Sequence, residues 1–544
     1  MPTPVTDPQL IEQTLPVIGL TIQDWIVLTI YFLLLAFTGF LFSRRSPENT
    51  DDYFLGSRRM PPWAVAISIV ATSLSAVTFI GAPESSYNGD LTYLATNIGM
   101  IIAAIIIAFS FLPVFYKSQS ASIYELLESR FGPYARKSAS ITFMIGRVLA
   151  SGARIYAGAI PASILIFGLE NGTRPVNLMI AIGILTCVGI AYTLVGGISS
   201  VIWSDVIQFG VLISASICAI ILIYHSFDVP LSEIVSQLKV GGEDQASKLT
   251  LIDTSLDLRH PFSLPACIVG FTLLGIGSYG TDQDLAQRML TCKSAKHGAR
   301  SVITGILLGV PTVALFLITG LLLWIVYQRP ELTSLESPSP PGESVTVFLH
   351  YLLTQIPPGV RGLMMAGLFA AGLSSLNSAI NAMSAAYISD IYRPSIESRS
   401  SSTIPERHFV VVGRIAVLVF GIILGSFACV CIYWKSANND SLIIFALGVM
   451  GFAYAGLIGV FFTALFTKRG SSRSVIAALV VGFLWMLFTQ PFVYARFEWI
   501  HSPSVEYFYS INFTWKLTLG VIFSTSVCLI GNQPREHAAA PLAA

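Results

Sequence analysis

The chain has 544 residues, of which 54% are hydrophobic and only 11% charged, and its formal net charge is +1. Soluble domains carry about 25% charged residues, so this composition excludes a soluble enzyme, a disordered chain and a disulfide scaffold, and leaves a polytopic membrane protein. The balanced charge supplies no basic excess for nucleic acid. The first 20 residues contain no Lys or Arg and no apolar core ahead of a cleavage site, so no cleaved signal peptide is expected. Seven cysteines lie mostly in apolar runs without a CxxC spacing or a neighbouring His, which argues against a metal or redox site.

A membrane helix needs about 20 mostly apolar residues. Thirteen stretches qualify as spans 1 to 13 in chain order: 22–43, 62–88, 92–116, 138–167, 176–195, 201–226, 262–286, 301–327, 359–391, 409–434, 441–466, 474–494 and 513–531. The longest connections, 227–261 and 328–358, are short and polar, so no soluble domain fits between spans. With the N-terminus outside, nineteen Lys and Arg, Arg288 among them, fall in cytoplasmic segments and seven in outer ones. The positive-inside rule therefore predicts a multi-pass protein of the cell membrane, N-terminus outside and C-terminus cytoplasmic.

Two spans are interrupted. Span 2 clusters Ser and Thr in SLSAVTFIG and then carries Gly81, Pro83 and Glu84. Span 7 carries Gly270, Gly275, Gly277 and Gly280 before Asp282, Gln283 and Asp284. Unwound backbone at membrane depth must line a cavity or bind something. Gly- and Pro-interrupted spans at matching places in two halves point to an inverted-repeat transporter. The literal GxGxxG from Gly275 to Gly280 lies inside an apolar span without the strand–turn–helix setting that nucleotide binding requires. HExxH, GxSxG and P-loop patterns are missing, so the chain does not read as an enzyme.

Span 9 places Ala371, Ser374, Ser375 and Ser378 on one helical face, with Asn377 and Asn381 extending the polar patch. Hydroxyls and freed carbonyls suit a small hard cation such as Na+; close packing of small residues is the alternative. Asp205 on span 6 is costly in lipid and marks function by default. Arg147 and Arg154, seven apart on span 4, are each candidates for binding an anionic substrate or for a structural ion pair.

At these residues the sequence resembles the sodium:solute symporter family. The likeness runs through DDYFLGSRRMPPWAVAIS, SLSAVTFIG, YTLVGGISSVIWSDVIQ, DQDLAQRMLTCKS and the span 9 serine run that ends in ISDIY. It implies an all-α, LeuT-like fold with an inverted five-plus-five helix repeat and an extra N-terminal helix. It divides the chain into 1–61 (tail and extra span), 62–226 (first repeat), 227–261 (external loop), 262–466 (second repeat) and 467–544 (spans 12 and 13 and a cytoplasmic tail). It implies a main Na+ site from the carbonyls of Ala71, Leu74 and Ala371 and the hydroxyls of Ser374 and Ser375. Some members bind a second sodium at the acid matched by Asp205 and at further span 9 hydroxyls. Here Ser374 and Ser378 match, and Asn377 stands where a Ser is found; the group otherwise marks the ion's exit.

The family's sugar-binding pattern is largely missing: Thr78 replaces a Gln, Asn97 a Glu, Gly275 an Asn, Ser278 a Tyr and Leu447 a Gln. The candidate substrate residues are Ser75, Thr78, Asn97, Arg154, Ser278, Tyr279 and Gln283, with Tyr279 also the candidate thin inner gate. The expectation is Na+-coupled import of a small organic anion such as a monocarboxylate, by alternating access. A sodium/sugar symporter is the alternative within transport, and a membrane sensor or receptor the alternative outside it. The expected partners are the solute and the lipid bilayer, with a monomer sufficient.

Overall fold

The computed structural model describes residues 20–43, 49–118, 121–241, 246–335, 346–399, 404–436, 441–494, 496 and 503–532. Of the residues used in the charge count, Arg44, Arg45 and Arg535 lie outside the described residues. Among the described residues ten helices are long and apolar enough to cross a membrane, a bent pair makes an eleventh span, and Pro175–Ala191 and Ser472–Phe488 are shorter apolar helices. Together they account for the thirteen predicted stretches. Helices dominate because lipid offers no partner to an open backbone group, so each span must satisfy its own.

Span 2 is the bent pair. Pro62–Ser73 and Ala76–Asn88 meet at 63° across extended backbone at Leu74 (φ −86°, ψ 105°) and Ser75 (φ −98°, ψ 174°). Span 7 runs as Leu264–Ile276, widens into a π-turn at Gly277–Thr281 and breaks at extended Asp282. It restarts as Gln283–Leu290, where the Asp282 carboxylate accepts from the Asp284 amide at 3.0 Å. Spans 5 and 6 are continuous except at Gly197 (φ 58°). A Cβ there would lie 2.6 Å from the Tyr53 carbonyl, so only glycine fits.

Spans 9 and 11 form the centre, 89% and 83% buried, whereas spans 1 and 6 are 28% and 33% buried and border lipid. Small residues bring the helices close: Gly367 of span 9 faces Ala215 of span 6, and Gly425 of span 10 faces Thr186 of span 5. Span 2 packs on span 8, span 3 on span 7, and span 9 on span 6. The two broken helices are thereby held against a scaffold of intact ones.

Candidate functional site

The breaks expose backbone. The last four carbonyls of a helix have no partner within it; in the first half of span 2 these belong to Val70, Ala71, Thr72 and Ser73. The Leu74 amide takes the Val70 carbonyl at 2.9 Å, and the Ser375 hydroxyl donates to the Thr72 carbonyl at 3.3 Å. Among the described residues, no hydrogen bond reaches the Ala71 or Leu74 carbonyl. The Ser374 hydroxyl donates to Asp205 Oδ1 at 2.6 Å. Both span 9 hydroxyls therefore spend their protons elsewhere and keep oxygen lone pairs free. Ala71, Leu74, Ala371, Ser374 and Ser375 are all buried. Their donor set is all oxygen, which fits a Na+ at the junction of spans 2 and 9.

Asp205 is fully buried. Besides Ser374, it accepts from Ser68 Oγ at 2.5 Å and from Arg288 Nη2 at 3.2 Å. Arg288 also donates to Asp284 Oδ1 at 2.5 Å, to the Asp284 carbonyl at 2.9 Å, to Ser68 at 2.9 Å and to the Ser378 hydroxyl. This corrects the charge count, which put Arg288 in a cytoplasmic loop: it lies in the restarted half of span 7 and is buried. Its partners are scattered over spans 2, 6 and 9, so only their i,i+4 relation, Asp284 to Arg288, was visible in sequence. Asn377 accepts from the Thr193 hydroxyl of span 5 at 3.2 Å rather than joining Asp205. Asn381 is buried, and its amide finds no hydrogen-bond partner among the described residues.

A cavity of about 1060 Å³, counting its open mouth, lies beside both breaks. Ser75, Thr78, Asn97, Arg154, Ser278 and Tyr279 all line it. Tyr279 and Ser73 lie 3.1 Å apart, hydroxyl to hydroxyl, and bridge the two broken spans. Gln283 departs from expectation. It is buried away from the lining, accepts from the Ile123 amide at 3.0 Å and donates to the Ala121 carbonyl at 2.6 Å. Its amide is consumed in tying the restart of span 7 to the segment before span 4.

The structure also separates the two arginines of span 4. Arg147 is ion-paired with Asp282 and lies 3.4 Å from Asp284. Asp282 is further held by the Tyr454 hydroxyl at 2.9 Å. Arg154 has no carboxylate within 4 Å among the described residues, and its recorded polar contact is Met450 Sδ at 3.5 Å. Arg147 thus belongs to the framework, and Arg154 presents its charge to the cavity.

The sodium:solute symporter family model matches residues 53–482. The chain belongs to the sodium:solute symporter family. A sodium/sialic acid symporter of Proteus mirabilis is 30% identical over 85% of this chain and 88% of its own length. One of Aliivibrio fischeri is 29% identical over 93% of this chain and 92% of its own length. The human sodium/iodide cotransporter is 27% identical over 82% of this chain and 66% of its own. Among solved structures, a substrate-bound, outward-open Na+-coupled sialic acid symporter superposes with a TM-score of 0.75 at 25% identity, covering 94% of this chain and 97% of that one. A nucleobase-cation-symport-1 family transporter shares the fold with a TM-score of 0.54 at 16% identity. The protein is therefore a multi-pass, Na+-coupled solute symporter with the LeuT-like fold. The family and these relatives are transporters, not enzymes.

Proposed function

We propose that this symporter imports a carboxylated solute with Na+, and that the solute is a sugar acid of the sialic acid class rather than the small monocarboxylate the sequence suggested. The observation that carries this reading is Arg154: a cation lining the cavity with no carboxylate within 4 Å among the described residues. A solute carboxylate completes it by a bidentate pair. Around it, Ser75, Thr78, Asn97, Ser278 and Tyr279 offer hydrogen-bonding groups on several walls. A short monocarboxylate would leave most of these unpaired, which a polar pocket rejects strongly. The sialic acid symporters at 30% and 29% identity support the same class. Ala71, Leu74, Ala371, Ser374 and Ser375 are the proposed Na+ ligands.

In this reading the N-terminus is outside and the C-terminus cytoplasmic, in the cell membrane. The repeats run over 62–226 and 262–466, with 1–61, 227–261 and 467–544 as the flanking and linking segments. Na+ enters from outside and ties span 2 to span 9, which fixes the break against which the solute binds. The Tyr279–Ser73 contact closes the floor of the cavity. When the broken spans tilt against the scaffold, this contact opens, the solute leaves, and Na+ passes inward by Asp205. Every residue of the route comes from one chain, so a monomer is the proposed transporting unit.

Uptake into proteoliposomes tests the reading. The panel is a sialic acid, a short monocarboxylate, a neutral sugar and iodide, each with Na+ and with choline in its place. Sialic acid uptake that requires Na+ is expected. Selective uptake of the short acid or the neutral sugar would reject the solute class. Tight binding with no flux of any solute would favour a sensor.

A further inference from the structure

Six charged side chains surround the cavity and the proposed Na+ site: Arg147, Arg154 and Arg288, and Asp205, Asp282 and Asp284. Asp284 is shared, with one oxygen at 2.5 Å from Arg288 of its own helix and the other at 3.4 Å from Arg147 of span 4. Asp282 pairs with Arg147 and Asp205 with Arg288. The three positive and three negative charges balance only when Arg154, the one without a carboxylate beside it among the described residues, is counted. Among the described residues, the other ion pairs that involve a span sit toward the span ends: Asp24 with Arg361 at 2.9 Å, and Arg136, just before span 4, with Asp390 at 2.7 Å. Arg414 lies about two turns from the start of span 10, outside the cavity lining.

We infer that the symporter moves one Na+ with one monovalent anion and carries no net charge across the membrane. The inference rests on the reading that Arg154 receives a solute carboxylate. A core closed on both sides is a low-dielectric place in which an uncompensated charge is strongly disfavoured. The empty core is neutral. Na+ alone leaves it at plus one, and the anion alone leaves it at minus one. Only the empty and the doubly loaded cores are neutral, so only these close and turn over. Coupling then arises from charge balance, without direct contact between Na+ and the solute.

The same count excludes a second sodium, and the geometry agrees. The place beside Asp205 and Ser378 is occupied by the Arg288 guanidinium, which contacts both and also Ser68. Asn377 is turned to Thr193 of span 5. Arg288 acts as a resident cation, tethered to span 7 and never released.

The test uses the purified full chain in proteoliposomes, with labelled Na+ and a labelled sialic acid as the probe, at zero potential and at about −100 mV set by a potassium diffusion potential. A flux ratio of one, a Hill coefficient near one for Na+ and an accumulation unchanged by the potential are expected. If one net positive charge moved with each solute, about −100 mV would raise accumulation roughly 50-fold; that rise, or a flux ratio of two, overturns the inference while the carboxylate reading stands. Na+-dependent uptake of a neutral solute with none of any carboxylate overturns both. Arg154→Gln leaves the core at minus one, which Na+ alone neutralises; only its Na+-loaded core closes, so this variant is expected to exchange labelled for unlabelled Na+ across the membrane without solute. A folded Arg154→Gln protein with no solute-free exchange of labelled Na+ above wild type also overturns the charge-balance account.

Discussion

Substituting the two span 4 arginines separately should give opposite outcomes, although they lie only seven residues apart on one helix. Arg154→Gln removes a cation that pairs with no protein carboxylate among the described residues. It leaves no partner stranded, so the protein should fold and melt within a degree or two of wild type. The solute loses a buried, charge-assisted pair, and truncating one side of such a pair costs about 2–5 kcal/mol. At about 3 kcal/mol the apparent affinity for the carboxylate falls roughly 100-fold, given about 1.4 kcal/mol per decade. Arg147→Gln instead strands the buried Asp282 and takes from the buried Asp284 one of its two arginines, leaving it Arg288. Breaking a buried pair from one side costs about 3–5 kcal/mol, enough to lower the melting temperature sharply or prevent expression. Thermal melts in detergent and equilibrium binding of the labelled solute to both variants form the assay. The reasoning is refuted if Arg154→Gln keeps its solute Kd within threefold, or if both variants lose the same stability.

Ser375→Ala removes one proposed Na+ ligand while sparing the Asp205 network, so half-maximal Na+ activation should rise about tenfold (about 1.4 kcal/mol) at unchanged maximal uptake; unchanged Na+ dependence removes Ser375 from the site. Asp205→Asn leaves Arg288 paired with Asp284 but gives the core one excess positive charge. Na+-independent exchange of labelled for unlabelled anion is expected, and full dependence of that exchange on Na+ in this variant would contradict charge-balanced coupling. Gly277→Ala places a Cβ 2.6 Å from the Tyr454 ring, overpacking that costs about 1–3 kcal/mol. It should lower the melting temperature and displace the π-turn, and a wild-type melt would show that the ring yields freely.

The membrane helices were legible in sequence because each satisfies its own backbone within one continuous apolar run; all thirteen stretches correspond to helices among the described residues. The interrupted spans were legible for a related reason. Glycine and mid-span serine reveal local weakness of a helix and picked out the two spans but not the points of interruption: the breaks lie at Leu74–Ser75 and at Asp282, whereas Gly81 and Pro83 lie inside the helix Ala76–Asn88 and Gly270 and Gly275 inside Leu264–Ile276. Even the serine face of span 9 follows from helical period alone. Charge roles were different. Arg288 reads as one more basic residue after an apolar run, because nothing within a few residues except Asp284 shows that it is enclosed. Gln283 reads as a polar group at a break, but its amide is used up by Ala121 and Ile123, some 160 residues earlier.

The arginines of span 4 draw the boundary most clearly. Local sequence gives both the same helix and nearly the same face. Arg147 becomes structural because span 7 brings Asp282 and Asp284 to it from about 135 residues away, and Arg154 stays available because none of the described carboxylates comes within 4 Å of it. Hydrophobicity and helical period are properties of neighbouring residues, and so the sequence by itself determined the spans, which two of them are broken, and the polar face of span 9 proposed to hold Na+. Which charge is neutralised and which is offered to a solute depends on Coulomb partners within about 4 Å, and only the tertiary structure sets those distances.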